Sequence, residues 1–239
     1  GTAFPGTALT WKTCDESTGD GTNAFGIPHG GNVSTDLKHI LNMAAWATAA
    51  TGVPSTLMLV DVQGYYPGIN MNSNSAQTLL GTPTLRYSNG VGVRAFLCAR
   101  ATTGATAHNI ALSYTNQSAT AGRTLPVTVA ATASAIVPHI VHSGTAANNY
   151  GPFLPLAQGD TGIQSVQTVT LSAASGTAST AALVLAKPLI HHFLLLPDDA
   201  GPNHYLSLNG NSDYQSITIK PIERSGVVAY YSLEDFANQ

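Results

Sequence analysis

The chain has 239 residues, room for one large domain or two small ones. Charged residues are only 9% of it, against roughly 25% in an ordinary soluble domain. The net charge of −3 excludes a basic nucleic-acid footprint, and the low charge with many β-branched residues argues against intrinsic disorder. No apolar run reaches the roughly 18 residues of a membrane helix. A signal peptide is not expected, since no basic segment followed by an apolar stretch opens the chain, although a start at Gly1 leaves room for a removed leader.

In chain order, residues 1–31 read as an extended N-terminal arm. They hold seven glycines and show no apolar period. Residues 32–239 read as a β-rich domain with one α-helix at about 35–50. Ser34 or Thr35 can cap that helix, and Leu37, Ile40, Leu41, Ala44, Ala45 and Thr48 fall at helical spacing. Gly52 and Pro54 end it.

After Pro54 the pattern turns to short β-branched runs bounded by Gly, Pro and Asn. Expected strands are 56–62, 84–87, 92–100, 109–115, 124–130, 135–142, 165–172, 181–189, 191–196, 205–208, 216–221 and 227–233. Ser88-Asn89-Gly90 signals a hairpin, because Asn-Gly supplies the two positive-φ residues of a type I′ turn. The small polar stretch 115–122 joins two more antiparallel strands. Many short strands and one helix predict a mainly β fold, an antiparallel β-sandwich or jelly-roll-like domain. No period of 20–50 residues recurs, which disfavours a solenoid.

The distribution of charge points to a covered surface. No Asp, Glu, Lys or Arg occurs from Thr124 to Gly159, nor from Thr161 to Ala186. Large uncharged areas mark interfaces, so coverage by neighbours is the favoured reading over a Thr-rich surface kept soluble by its hydroxyls. Cys14 and Cys98 are too few for a disulfide framework, and Cys98, in an apolar run, reads as a buried thiol rather than half of a bridge.

Catalytic and metal-binding patterns are weak. There is no GxSxG elbow, HExxH, P-loop or GxGxxG. Asp61, Asp160, Asp213 and Glu223 are conceivable acid/base carboxylates, but nothing in their spacing selects a pair, and turn or capping roles fit better. His139 with His142, and His191 with His192, lie at spacings that point apart in a strand, which argues against zinc. The oxygen-rich stretches 15–23 and 209–213 suit calcium somewhat better, yet Asx-Gly turns look the same. Tyr65-Tyr66 and Tyr230-Tyr231 are paired aromatics of the kind that stack on sugars, but neighbouring strand positions divide between core and surface.

Several phrases occur together: Leu59-Val60-Asp61 before Gly64-Tyr65-Tyr66-Pro67-Gly68-Ile69; Arg86-Tyr87-Ser88-Asn89-Gly90-Val91-Gly92-Val93-Arg94-Ala95-Phe96-Leu97; Tyr114-Thr115-Asn116-Gln117 with Gly122-Arg123-Thr124-Leu125-Pro126; and Gly151-Pro152-Phe153-Leu154-Pro155-Leu156 with Gly159-Asp160-Thr161-Gly162-Ile163. This set, spanning about residues 56–189, resembles structural proteins of tailed-bacteriophage virions, most nearly capsid decoration, cement or minor head proteins. The resemblance implies a non-catalytic virion protein in many copies, with no catalytic residue, cofactor or metal. Its partners would be further copies of itself and the major capsid protein or another virion protein, with no direct contact to nucleic acid or membrane. A tail or baseplate component and a carbohydrate-binding or adhesin module are the alternatives, with a polysaccharide-degrading enzyme further behind.

The arm carries Phe4, Leu9, Trp11, Phe25 and Ile27 at irregular intervals. Irregular spacing suits an extended segment that drops anchors into pockets, so these five are the candidate interface residues, exchanged between subunits. The competing reading folds the arm back onto its own chain.

Overall fold

The computed structural model describes residues 4–14, 55–137, 139–141 and 152–194. The chain divides into two compact units, Gly1–Pro28 with Asp61–Lys187, and His29–Val60 with Pro188–Gln239. Nearly all described residues belong to the first. Of the second, the description covers residues 55–60 and 188–194, which continue two strands of the first.

Nine strands run through the described residues: β1 (Lys12–Thr13), β2 (Ser55–Asn70), β3 (Gln77–Thr78), β4 (Arg94–Ala99), β5 (Asn109–Asn116), β6 (Arg123–Thr124), β7 (Val129–Ala130), β8 (Ile163–Leu171) and β9 (Thr180–Leu194). They form two sheets, ordered β1-β2-β9-β4 and β3-β8-β5-β6, with β7 also on β5. The pairings with a defined register are antiparallel. The fold is therefore mainly β and antiparallel, as the sequence predicts. The expected helix at about 35–50 lies outside the described residues, as do the strands expected after residue 200.

Burial explains which runs became strands. In β9, residues 181–186 are all buried, an Ala-Ala-Leu-Val-Leu-Ala run without alternation. Such a run suits an interior strand covered on both faces, and β9 lies between β2 and β4. It pairs with β4 from Arg94 opposite Ala186 to Ala99 opposite Ala181. β5 alternates instead: Ile110, Leu112, Tyr114 and Asn116 are buried, while Asn109, Ala111, Ser113 and Thr115 are not. That is a strand with one face inward and one outward.

The differences from the predicted elements have identifiable causes. The run 124–130 is two short pairings rather than one strand, because residues 125–128, including Pro126, leave the ladder between β6 and β7. Residues 84–87 are not a strand. Asn89 (φ 56°) and Gly90 (φ 67°) do take the two positive φ values of a type I′ turn, with Val91 N–H on Ser88 O at 3.3 Å. That turn is not flanked by two paired strands, however. Of the strand expected at 135–142, the described residues 135–137 and 139–141 make a turn, with His139 N–H on Ile136 O at 2.7 Å, and meet the first sheet through one bridge, Cys98 to Ile140. The strand expected at 181–189 and the described part of the one expected at 191–196 are one strand, β9, which runs to Leu194.

The largest departure is in β2. It continues through Gly64-Tyr65-Tyr66-Pro67-Gly68, where glycine and proline argue for an end to the strand. Tyr65 and Tyr66, expected to divide between core and surface, are both buried, at 2% and 0% exposure. Residues 4–14 are the reason. This N-terminal strap lies along β2 and covers what would otherwise be an open edge and face.

Candidate functional site

The strap makes almost no structure of its own; within it, one backbone hydrogen bond joins Thr10 N–H to Thr7 O. Two side-chain bonds lie within it as well, Thr10 Oγ1–H to Ala8 O at 3.3 Å and Trp11 Nε1–H to Thr13 Oγ1 at 2.9 Å, and its other backbone bonds go to the groove that holds it. Leu9 N–H donates to Pro67 O at 2.7 Å, Trp11 N–H to Leu80 O at 2.8 Å, and Leu80 N–H to Leu9 O at 2.7 Å. Lys12 and Thr13 then pair with Tyr65 and Gly64 as β1, and Cys14 N–H reaches Gln63 O. One side of the strap is thus bonded to β2 and the other bridges to Leu80 in parallel register.

Side chains complete the seat. Phe4, 6% exposed, meets Tyr65 edge-on at 5.1 Å between ring centroids, and the Tyr65 hydroxyl donates to Pro5 O at 2.9 Å. Trp11 packs on Tyr66, also at 5.1 Å. Two glycines make room. A Cβ on Gly64 would collide with the Lys12 carbonyl oxygen and the Trp11 ring, and one on Gly68 would stand 2.6 Å from the Ala8 Cβ. The backbone bends to fit, with Phe4 and Leu9 at φ near +60°. For L-residues other than glycine that conformation costs roughly 1–2 kcal/mol each. Of the five predicted anchors, Phe4, Leu9 and Trp11 are therefore seated against groove residues of the same chain, and Phe25 and Ile27 lie outside the described residues.

Arg86 staples the end of the strap. Its guanidinium donates to the Cys14 carbonyl, to the Val62 carbonyl at 2.5 Å and to both carboxylate oxygens of Asp61. The Arg86 N–H donates to the side-chain oxygen of fully buried Gln63 at 2.8 Å. Asp61 is committed to this ion pair.

A second polar cluster sits where the loop before β8 meets the β5–β6 turn. The Asp160 side chain, 3% exposed, accepts from Tyr114 Oη at 2.6 Å, Asn116 Nδ2 at 2.7 Å and Arg123 Nε at 2.9 Å. Desolvation pulls its pKa upward, but the hydrogen bonds from Arg123, Tyr114 and Asn116 outweigh it and hold the carboxyl at about 2. Burial, reinforced by the Asp160 carboxylate, pushes the Tyr114 hydroxyl up to about 12, so it stays a donor. Tyr114 Oη also accepts from Ala157 N–H at 2.8 Å. Asn116 Oδ1 accepts the N–H groups of Ser118 and Thr120, which shapes the turn. The cluster ties one loop to one hairpin.

The outward face of the second sheet bears no charge. Paired residues run across it as Thr78, Thr168, Ser113 and Thr124 on β3, β8, β5 and β6. Adjacent rungs are Ala111 with Thr170 and Thr115 with Ser165. Beside it, where residues 125–128 arch away from β5, lies an open groove of about 460 Å³ with Leu125, Pro126, Val127 and Ile110 in its lining, which contains no titratable residue. Ile136 and Val137 add an apolar turn, 50% and 44% exposed.

Other expected candidates fall apart in space or outside view. Cys14 and Cys98 are not joined by a disulfide, and burial pushes the Cys98 thiol up to about 11. Among the described residues no three of His, Cys, Asp and Glu gather as metal ligands. His142, Asp213, Glu223, Tyr230, Tyr231 and the stretches 15–23 and 209–213 lie outside the described residues, and nothing is described of the His191 and His192 side chains. The groove-forming role of Gly64, Gly68 and Leu80 was missed from sequence; the only signal was a glycine pair flanking aromatics inside a β-branched run.

Compared with known proteins, the chain matches no family model, no curated protein and no solved structure. Nothing in those comparisons links it to bacteriophage virion proteins.

Proposed function

We propose that this chain is a non-catalytic structural protein of a bacteriophage virion, a capsid decoration or cement protein that stabilises the particle through contacts between subunits. The observation that carries the reading is the uncharged outward face of the β3-β8-β5-β6 sheet, with its cross-strand row Thr78, Thr168, Ser113 and Thr124. Small uncharged side chains let identical surfaces approach without like-charge repulsion, and assembly by mass action then adds to folding stability. Asp61 and Asp160 are engaged in ion pairs that hold the strap and a loop, which suits a scaffold. The phrase-level resemblance to virion proteins supports the same reading. On it, the two sheets stack as a sandwich of jelly-roll type with one helix near residues 35–50. The partners are further copies and the major capsid protein, with no cofactor, nucleic acid or membrane. Among the described residues no helix is long and apolar enough to cross a membrane.

The test is compositional. Virions purified from cells that express this gene should contain the chain in many copies by quantitative mass spectrometry. Ser113→Arg and Thr168→Arg should lower that copy number while leaving the thermal midpoint of the isolated chain near its original value. A chain missing from purified particles, or present at the same copy number with both arginines, defeats the proposal.

A further inference from the structure

We infer that the break in the β5 ladder is a docking site for a short, extended, uncharged segment of a partner protein, seated by one aliphatic side chain and one main-chain rung. The inference goes beyond the assembly reading and does not depend on it.

Between Ile110 and Ser113, β5 has two residues, whereas the chain opposite has four between Thr124 and Val129. The two extra residues cannot stay in register, so 125–128 bulge outward, with Pro126, which has no N–H to donate, in the bend. Residues 125–128 make no backbone hydrogen bond to any described residue. Alternate residues of an antiparallel strand turn their N–H and C=O to opposite neighbours. The Asn109 carbonyl accepts from Ser172, on the β8 side, and the His108 carbonyl accepts from Ala131, on the β7 side. Ile110, Leu112 and Tyr114 therefore face the side of β7 and β6. Ile110 has Val129 opposite it and Tyr114 has Arg123, but Leu112 has no residue opposite on that side. Its N–H and C=O open onto the groove, where the ladder is one rung short.

That unfilled rung decides what the groove takes. Its volume of about 460 Å³ lies within the roughly 300–1,000 Å³ of ligand clefts. Ile110, Leu125 and Val127 give it apolar walls, and Asn109, Thr170 and Ser172 give it a neutral polar edge. A charged side chain would lose its hydration there and meet no counter-charge in the lining. A pure hydrocarbon would fill the walls but leave the Leu112 N–H and C=O unmatched. An extended peptide satisfies both, since its backbone offers a donor and an acceptor while an aliphatic side chain enters the groove. This is strand addition shortened to a single rung. The exposed Ile136 and Val137 of another copy have the apolar character but not the backbone: they lie in a turn closed by His139 N–H on Ile136 O. The occupant is thus an extended segment of a different protein.

The probe is the capped tripeptide acetyl-threonyl-isoleucyl-threonine amide, titrated into isotope-labelled full-length chain and followed by NMR. The expected result is weak, saturable binding that moves the Leu112 amide and the methyl groups of Ile110, Leu125 and Val127. A probe with aspartate in place of isoleucine should bind at least about tenfold more weakly. One with an N-methylated isoleucine, which cannot donate to Leu112, should lose about threefold to tenfold. Val127→Asp lies in an arch free of backbone bonds, so it should abolish binding while the spectrum elsewhere and the thermal midpoint stay unchanged. Absence of shifts up to the solubility limit of the peptide overturns the site. Equal binding of the N-methylated probe reduces it to an apolar hollow and overturns the missing-rung argument. Groove shifts that grow with protein concentration in the absence of peptide would make a second copy the occupant and overturn the assignment to a partner.

Discussion

At Asp160, three donors from distant points of the chain converge on one carboxylate, with sequence separations of 46, 44 and 37 residues. No spacing rule could reveal this, and the residue looked like a solitary acid until the fold supplied Tyr114, Asn116 and Arg123. The depressed pKa makes a definite pH statement. A carboxyl held near 2 when folded, against about 3.9 when unfolded, contributes stability that is complete above the unfolded value. That stability is lost as pH falls from about 4 towards 2. Asp160→Asn should lower stability at pH 7, because its amide nitrogen opposes a donor, and should flatten the acid limb. Urea midpoints measured from pH 7 to pH 2 check both. Tyr114→Phe strands the Ala157 N–H and removes one donor from Asp160, a loss of about 1–3 kcal/mol by the same measurement. At Cys98, burial raises the thiol to about 11, leaving little thiolate near pH 8. Iodoacetamide should label Cys98 slowly in native buffer and fast in urea, read by mass spectrometry of the Cys98 peptide; equal rates would contradict its burial.

Among the elements, β2 and the strap define each other. Glycine and proline normally weaken a strand, yet here they are what the strap needs: Gly64 and Gly68 leave space, and Pro67 loses nothing by offering only its carbonyl. Gly64→Val should therefore expel the strap while the remaining strands persist. In a Trp46→Phe background, Trp11 emission should shift to the red, and limited proteolysis should clip the N-terminus first. Unchanged emission would mean that the Trp11–Tyr66 contact does not depend on that space. The elements that were legible, β4, β5, β8 and the core of β9, are those with dense apolar or alternating patterns. The elements that misled, 84–87, 124–130 and the described part of 135–142, carry β-branched residues but lack a partner strand along their length. β propensity reports fitness for a pleated surface and says nothing about whether a neighbour is there.

For the whole molecule, scarcity of charge sets how association should respond to solution conditions. In the proposed assembly, contacts across the Thr- and Ser-bearing face would involve no ion pairs, so ionic screening would have little to weaken. Self-association measured by sedimentation should change little between low salt and about 1 M, where the screening length falls to about 3 Å. A steep loss of association with salt would assign the interface to charged residues elsewhere and remove this face from the assembly.

The sequence by itself determined the class of fold: short alternating or β-branched runs punctuated by Gly and Pro make antiparallel sheet, because period-two patterning is a local property of each strand. It also determined the character of the surface, since stretches without Asp, Glu, Lys or Arg remain uncharged however they fold. Tertiary structure alone decided where Phe4 and Trp11 go, which partners fix Asp61 and Asp160, and why adjacent Tyr65 and Tyr66 are both buried. Each of those depends on pairing between residues far apart in the chain, and a strap with no periodicity carries no local trace of the groove that orders it.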